Sequence, residues 1–348
     1  MTHDQIHQIL SGHRRDVSAA LMRAGLSLAA PLYGAAISLR NRLFDRKLLK
    51  TAELNVPVIS VGNVTTGGTG KTPVVAWLTH QLTSLGYRPG LLSRGYKSLD
   101  PAGNDEKRVL ELLCPDIPHI QNRSRFAGGQ KLLQEHDVNV AVLDDGFQHR
   151  QLHRDVDLVL IDATNPWGFG HLLPRGLLRE SLSGLRRASA ILVTRCDQVD
   201  EAAITQIIAQ AKTYTSVPIL RTQFTSTGFS NSQGENYSVG DAQIDWSHPH
   251  AFCGIGNPIG FQKTLSSLAG NEVPLSAFPD HFHYSRGDLD ELSAAAETPS
   301  VWLTTLKDLV KINQPDLNGV PLLAVEIRLE FLDSSQPLLD ILASALHS

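Results

Sequence analysis

Pro57-Val58-Ile59-Ser60-Val61-Gly62-Asn63-Val64-Thr65-Thr66-Gly67-Gly68-Thr69-Gly70-Lys71-Thr72-Pro73 begins as an apolar, β-branched strand, turns through glycines and opens a helix. Glycines there let backbone N–H groups wrap phosphate oxygens, and a helix N-terminus adds its partial positive charge. In such a loop Lys71 reaches the β- and γ-phosphates of a nucleotide, and the Thr72 hydroxyl ligates Mg²⁺. Thr65, Thr66, Gly67, Gly68, Thr69, Gly70, Lys71 and Thr72 are therefore the expected nucleotide-binding residues. Pro73 suits the first helical turn, where its missing N–H would lack a partner anyway. Val74, Val75, Leu78, Leu82 and Leu85 then share one helix face up to Gly86. The usual G-x-x-x-x-G-K-[ST] pattern wants Gly at position 65. This chain has Thr, and the doubled Gly67-Gly68 supplies the backbone freedom instead.

Outward from this loop, apolar β-branched runs fall at 56–61, 89–92, 138–143, 156–161, 190–194 and 217–220. Helical patterns, such as 73–85 and 202–211, lie between several of them. Strands alternating with helices predict an α/β fold, here a P-loop NTPase-type parallel sheet with helices on both faces. Polar residues 224–241 read as a linker. A smaller C-terminal α/β domain follows, with strands at 250–254, 301–304 and 320–327. Asn257-Pro258 would cap a helix at 261–268. The expected partition is a helical segment 1–50, a P-loop domain 51–223, and a C-terminal domain 224–348 that includes the linker.

Val140-Ala141-Val142-Leu143-Asp144-Asp145 is an apolar strand ending in two carboxylates. Strand C-termini line the ligand crevice of a parallel sheet, and an acid there holds Mg²⁺ directly or through water. Asp144 and Asp145 are both candidates, since a polar loop, Gly146-Phe147-Gln148-His149, follows them. Val159-Leu160-Ile161-Asp162 has the same shape and competes. His149 and His153 have no obvious third partner, so two solvated histidines are expected rather than zinc ligands.

Composition narrows the function classes. Of 348 residues, 42% are hydrophobic and 19% charged, as in a globular chain with a sizeable core. Net charge is −4, from 31 basic and 35 acidic residues, without the basic footprint of a nucleic-acid binder. Cys114, Cys196 and Cys253 form no CxxC pair, which suits a reducing cytosol. Near the N-terminus, Ala24 to Leu39 carries no charge, but the run is short of the roughly 20 residues of a comfortable span. Arg40, Arg42, Arg46, Lys47 and Lys50 follow against one acid, Asp45. An apolar face followed by a basic stretch can lie on an anionic membrane. The same pattern also describes an ordinary helix packed on the core.

Several separated motifs together resemble one family, the tetraacyldisaccharide 4'-kinases of lipid A biosynthesis, from about residue 30 to about residue 325. They are the phosphate loop, Ser93-Arg94-Gly95-Tyr96, Asp144-Asp145-Gly146-Phe147-Gln148-His149, Leu172-Leu173-Pro174-Arg175-Gly176-Leu177-Leu178-Arg179-Glu180, Gly254-Ile255-Gly256-Asn257-Pro258 and Pro279-Asp280-His281. The resemblance implies ATP- and Mg²⁺-dependent phosphorylation of the 4'-hydroxyl of a tetraacyl glucosamine disaccharide 1-phosphate. It also implies peripheral attachment at the cytoplasmic face of the inner membrane through the N-terminal helix. No nucleic acid and no obligate protein partner are expected. The family usually has Gly-Asp-Glu after Ser-Arg-Gly-Tyr; here Asn104-Asp105-Glu106 follows a shorter loop, and Asp105 is the matching candidate base. Phe169, Arg175, Leu177 and Leu306 are further departures, and they bear on substrate preference.

Phosphoryl transfer needs positioning and charge stabilisation more than covalent chemistry. Lys71, Mg²⁺ and the loop N–H groups would supply charge stabilisation. Asp105, with His281 as partner by resemblance, would handle the hydroxyl proton. Arg94 is a candidate phosphate contact, and Arg179 and Glu180 are candidate substrate or Mg²⁺ contacts. A rival expectation is a P-loop GTPase or metal-delivery switch protein, drawing on Val193-Thr194-Arg195-Cys196-Asp197. A third is a membrane adaptor with a degenerate nucleotide fold.

Overall fold

The computed structural model describes residues 3–95 and 105–347. Tyr96, Asn104 and the loop between them lie outside the described residues. The chain forms two compact units, Met1–Gln223 with Leu329–Ser348, and Phe224–Arg328.

The first unit opens with α1 (His3–Ser11) and α2 (Val17–Asp45). It continues through β1 (Val58–Asn63), α3 (Lys71–Ser84), β2 (Pro89–Ser93), α4 (Asp105–Leu113), β3 (His119–Gln121), α5 (Arg125–Glu135), β4 (Val140–Asp144), β5 (Val156–Asp162), β6 (Ala190–Thr194) and α6 (Glu201–Lys212). The strand β7 (Ile219–Ser230) leads out of it. Here the strands run in the order β7-β6-β5-β1-β4-β2-β3, with parallel neighbours. Every residue of β1, β4, β5 and β6 is buried, because helices cover both faces of a parallel sheet. One core gathers Val159, Ile161, Ile191, Val193, Ile204 and Ile207; another packs Val58, Ala141 and Leu143 against Leu132. The expected P-loop parallel sheet is borne out. The central strand β1 sits between β4 and β5, so its C-terminal loop opens where the chain direction of the crossovers reverses, the usual place for a ligand.

The second unit holds β8 (Asn236–Tyr237), β9 (Pro249–Cys253), α7 (Pro258–Ala269), β10 (Leu275–Ala277), α8 (Arg286–Ala295), β11 (Val301–Thr305), α9 (Leu306–Ile312) and β12 (Asp316–Leu317). The strand β13 (Val320–Phe331) leads back to the first unit, where α10 (Gln336–Leu346) closes the chain. β10, β9, β11 and β13 are parallel neighbours in that order.

Two sequence expectations need correction. The supposed linker 224–241 is largely structured: β7 runs to Ser230 and pairs antiparallel with β8, Phe229 facing Tyr237. Its polarity is misleading, because Thr225 and Thr227 are β-branched and sit well in a strand. The domain assigned to 224–348 also loses its last part. Leu338 and Leu342 of α10 are buried, and the Arg221–Asp333 ion pair at 2.7 Å fastens the returning chain.

Segment 1–50 folds mainly as α2, capped by the Asp16 carboxylate on the Ala19 N–H and continuous through Pro31. One side of α2 docks on the first unit. Tyr33 donates to the Arg179 carbonyl at 2.8 Å, Arg40 to the Gln148 carbonyl at 3.1 Å and Asn41 to the Glu180 carboxylate at 3.0 Å. The other side exposes Val17, Leu21, Leu28, Leu32 and Leu39.

Candidate active site at the phosphate loop

The loop after β1 takes its shape from two glycines in particular. Gly70, the N-cap of α3, has φ +85°, a left-handed conformation that favours glycine. A Cβ on Gly62 would fall 2.7 Å from the Phe147 Cβ, so Gly62 lets the loop after β4 close down on β1. Neighbouring segments brace the loop on both sides. The Thr66 N–H donates to the Leu177 carbonyl at 2.7 Å, and the Arg179 N–H to the Val64 carbonyl at 2.8 Å. From β6, the Thr194 hydroxyl donates to the Thr69 carbonyl at 3.1 Å and Arg195 to the Gly68 carbonyl at 2.8 Å. Thr65 and Thr69 are buried, Thr66, Gly70, Lys71 and Thr72 half-buried, and Gly67 and Gly68 exposed.

Lys71, the first residue of α3, holds its ammonium 3.4 Å from Asn63 Oδ1 and 3.5 Å from Asp145 Oδ1. Arg179 Nη1 donates to both Asp145 oxygens, at 2.8 and 2.9 Å, and to Gln148 Oε1 at 3.3 Å. Gln148 Nε2 in turn donates to the Asn63 carbonyl at 2.8 Å and to Glu180 at 3.0 Å. Lys71, Asp145, Arg179 and Glu180, far apart in sequence, thus belong to one polar chain with Asn63 and Gln148. Glu180 is 2% exposed and also takes Arg187 on both oxygens, at 2.9 and 2.8 Å. Its carboxylate anchors α2, the loop after β4 and Arg187 to each other.

The two strand-end acids differ electrically. Burial raises the pKa of Asp145, but Lys71 and Arg179 outweigh it and hold the carboxyl at about 2. Asp144 is buried, and that burial, with Glu106 and Asp145 nearby, pushes it up to about 7 against the pull of Lys71. Its Oδ1 has no hydrogen-bond partner among the described residues; the same holds for Asn63 Nδ2 and Thr69 Oγ1. Buried polar atoms are normally paired, so this grouping at the C-terminal end of the central strands marks a place for a polar ligand. The competitor Asp162 is different: it pairs with Arg195 and accepts from the Thr164 N–H and hydroxyl at 3.0 and 2.7 Å.

The remaining candidates are spread more widely. Asp105 is the first residue of α4, with its Oδ1 accepting from the Glu106 N–H at 3.1 Å. Arg94 is exposed just past β2. His281 belongs to the second unit, where it has φ +61°, donates its N–H to the Gly254 carbonyl at 3.1 Å and lies 3.3 Å from Lys307 Nζ through Nε2. His149 is half-buried, and burial among Arg125, Arg154, Arg40 and Arg94 lowers its pKa to about 4. It is thus a neutral group among arginines. Sequence reasoning passed over Asn63, Gln148 and Arg125, a 4% exposed arginine facing the charges of Asp144 and Asp145. Asn63 was legible only as a polar residue ending an apolar strand just before the glycines.

Comparison with known proteins agrees with this layout. Residues 22–347 match the family model described as tetraacyldisaccharide-1-P 4'-kinase. The chain is 35% identical to a tetraacyldisaccharide 4'-kinase of Anaeromyxobacter sp. (strain Fw109-5), covering 98% of this chain and 96% of the relative. It is 36% identical to the tetraacyldisaccharide 4'-kinase of Syntrophus aciditrophicus, covering 92% of each. A solved structure of LpxK from Aquifex aeolicus in complex with ATP superposes with TM-score 0.75 at 29% identity, covering 93% of this chain and 99% of that one. A phosphate loop with this spacing, an Asp-Asp strand end and a match over nearly the full length place the chain in the tetraacyldisaccharide-1-P 4'-kinase family.

Proposed function

We propose that this protein transfers the γ-phosphate of ATP to the 4'-hydroxyl of a tetraacyl glucosamine disaccharide 1-phosphate, working at the cytoplasmic face of the inner membrane. The observation that carries it is Lys71, set between Asn63 and Asp145 at the mouth of a braced phosphate loop beside the open oxygen of Asp144. Lys71 and Arg179 attract the phosphates, and Asp145 fixes both cations in place. Thr72 and Asp144 fit Mg²⁺: they are hard oxygen donors, and the Asp144 oxygen is already desolvated. Mg²⁺ usually takes one or two carboxylates and fills its shell with phosphate oxygens and water. When bound, the ion would neutralise charge on the phosphate oxygens. Asp105 is assigned to accept the proton of the sugar hydroxyl, and His281 is assigned to the same proton transfer by the family resemblance. Arg94 is assigned to phosphate. The Glu180 carboxylate serves to hold Gln148 and Arg187.

The lipid substrate calls for a membrane surface. Tyr33 to Asp45 of α2 is tied to the first unit, which leaves sixteen residues, 17 through 32, for the bilayer. A span needs about 20. That count supports a helix lying on the membrane, with Val17, Leu21, Leu28 and Leu32 in the acyl boundary and Arg42, Arg46, Lys47 and Lys50 toward anionic headgroups. The switch-protein reading drops out with the family assignment, and Arg195 of that motif is engaged with Asp162 and the Gly68 carbonyl. Incubating the protein with ATP, Mg²⁺ and a lipid A disaccharide precursor in detergent, followed by mass spectrometry, should show one added phosphoryl group on the lipid. Nucleotide consumption without lipid modification would reject the assignment.

A further inference from the structure

We infer that Asn63 is a catalytic residue of the phosphoryl transfer: its side-chain N–H₂ donates to the terminal phosphate of the nucleotide, an inference that rests on the kinase reading above. Asn63 ends β1 and is fully buried. Its amide has two ends of opposite character, and Lys71 decides which way they point. The ammonium 3.4 Å away is a donor only, so the amide must present Oδ1 to it. A flipped amide would set donor against donor. Nδ2 is thereby fixed on the other side, where it has no acceptor among the described residues.

A buried donor left in that condition is costly, and a purely structural position would have no reason to keep it. The acceptor it awaits is anionic oxygen. Asn63 shares its cation with the phosphate loop, and a lysine in this position reaches the β- and γ-phosphates. The Asn63 carbonyl is already held by Gln148, and β1 is buried on both faces, so the side chain is preorganised. Thr69 Oγ1 and Asp144 Oδ1, also unpartnered among the described residues at this end of the sheet, supply a further hydroxyl and a metal-binding oxygen.

The test compares ATP with ADP in Mg²⁺ buffer by calorimetry on the full chain, for wild type, Asn63→Leu and Asn63→Asp. Asn63→Leu should weaken ATP by roughly tenfold or more and leave ADP within about twofold, since a hydrogen bond to a charged group is lost only on the terminal phosphate. Asn63→Asp keeps the oxygen for Lys71 but replaces the donor with a carboxylate, and it should lose ATP preference further. The unliganded Asn63→Leu protein should melt no lower than wild type, because an unsatisfied donor has been removed. Equal weakening of ATP and ADP would overturn the inference and make Asn63 a support for Lys71. Unchanged binding of both would overturn it as well. A fall in melting temperature shared by both variants, with ATP preference intact, would assign Asn63 to packing. Failure of the kinase reading looks different: wild type itself would show no Mg²⁺-dependent preference for ATP.

Discussion

The ends of β4 and β5 look alike on paper and behave differently in the fold. Each is a buried apolar strand that finishes in aspartate. At β5, Asp162 is satisfied by Arg195 and Thr164 and so closes its own corner, bracing β6 and, through Arg195, the phosphate loop. At β4 the work is divided between neighbours. Asp145 is saturated by Lys71 and Arg179, whereas Asp144 stays buried with one oxygen unpartnered and its carboxyl held near neutrality. An acid at a strand end is therefore a structural clamp or a ligand group according to its neighbours.

The strongest challenge to that contrast is Lys71→Ala, which removes the cation that organises the β4 side. The kcat should fall about a thousandfold or more, as when a transition-state charge partner is lost, with circular dichroism unchanged. Near-normal turnover would move the site away from this strand end.

Next comes Asp144→Asn, expected to lower kcat by on the order of a hundredfold and to weaken Mg²⁺ dependence. The pH behaviour is specific. With its folded pKa raised to about 7 from the usual 3.8, Asp144 keeps a proton that the unfolded chain would release. Its contribution to the stability of the unliganded protein is full below the ordinary value and declines as pH rises toward 7. The unliganded Asn variant should therefore gain on wild type in melting temperature between pH 5 and pH 8, while wild-type Mg²⁺ affinity rises through pH 7. A wild-type Mg²⁺ affinity flat across that range would show that Asp144 is not the ligand, and Asp145 would be tested next.

Whether either β4 acid also serves as base is decided by Asp105 and His281, which lie in different units. Each Ala variant should lose about a hundredfold in kcat, and the double variant little more, because groups acting as a unit do not add. A product of the two losses would separate them. A silent Asp105→Ala would return the base to the β4 end.

Leu28→Ser, on the exposed face of α2, should reduce binding to anionic liposomes by about tenfold, within what burial of one leucine contributes. Its turnover on a water-soluble substrate analogue should be unaffected. Unchanged liposome binding would leave α2 as a docked helix only.

Among the strand-end acids the smallest effect on catalysis is expected for Asp162→Asn: kcat within about threefold of wild type, but with stability lower by roughly 1–3 kcal/mol in chemical denaturation, from weakened hydrogen bonds in a largely buried pair. A Mg²⁺-dependent loss of rate there would erase the difference between the two strand ends.

The sequence by itself determined the sheet and the phosphate loop. Alternating apolar runs and helical faces, with Gly-Lys-Thr between them, are local patterns set by backbone periodicity and by the φ freedom of glycine. β5 and β6 fall within a residue of their expected bounds for the same reason. The strand character of 224–230 was hidden, because a threonine-rich strand and a polar loop share a composition. The return of α10 to the first unit was hidden too, because it depends on the Arg221–Asp333 pair, closed across 112 residues. Tertiary structure alone decided which strand-end acid is clamped, where the amide of Asn63 points and that one side of α2 is docked while the other is bare. Each of these is set by a partner brought near by folding. Charge, burial and hydrogen-bond saturation are properties of a neighbourhood, and residues distant along the chain build that neighbourhood.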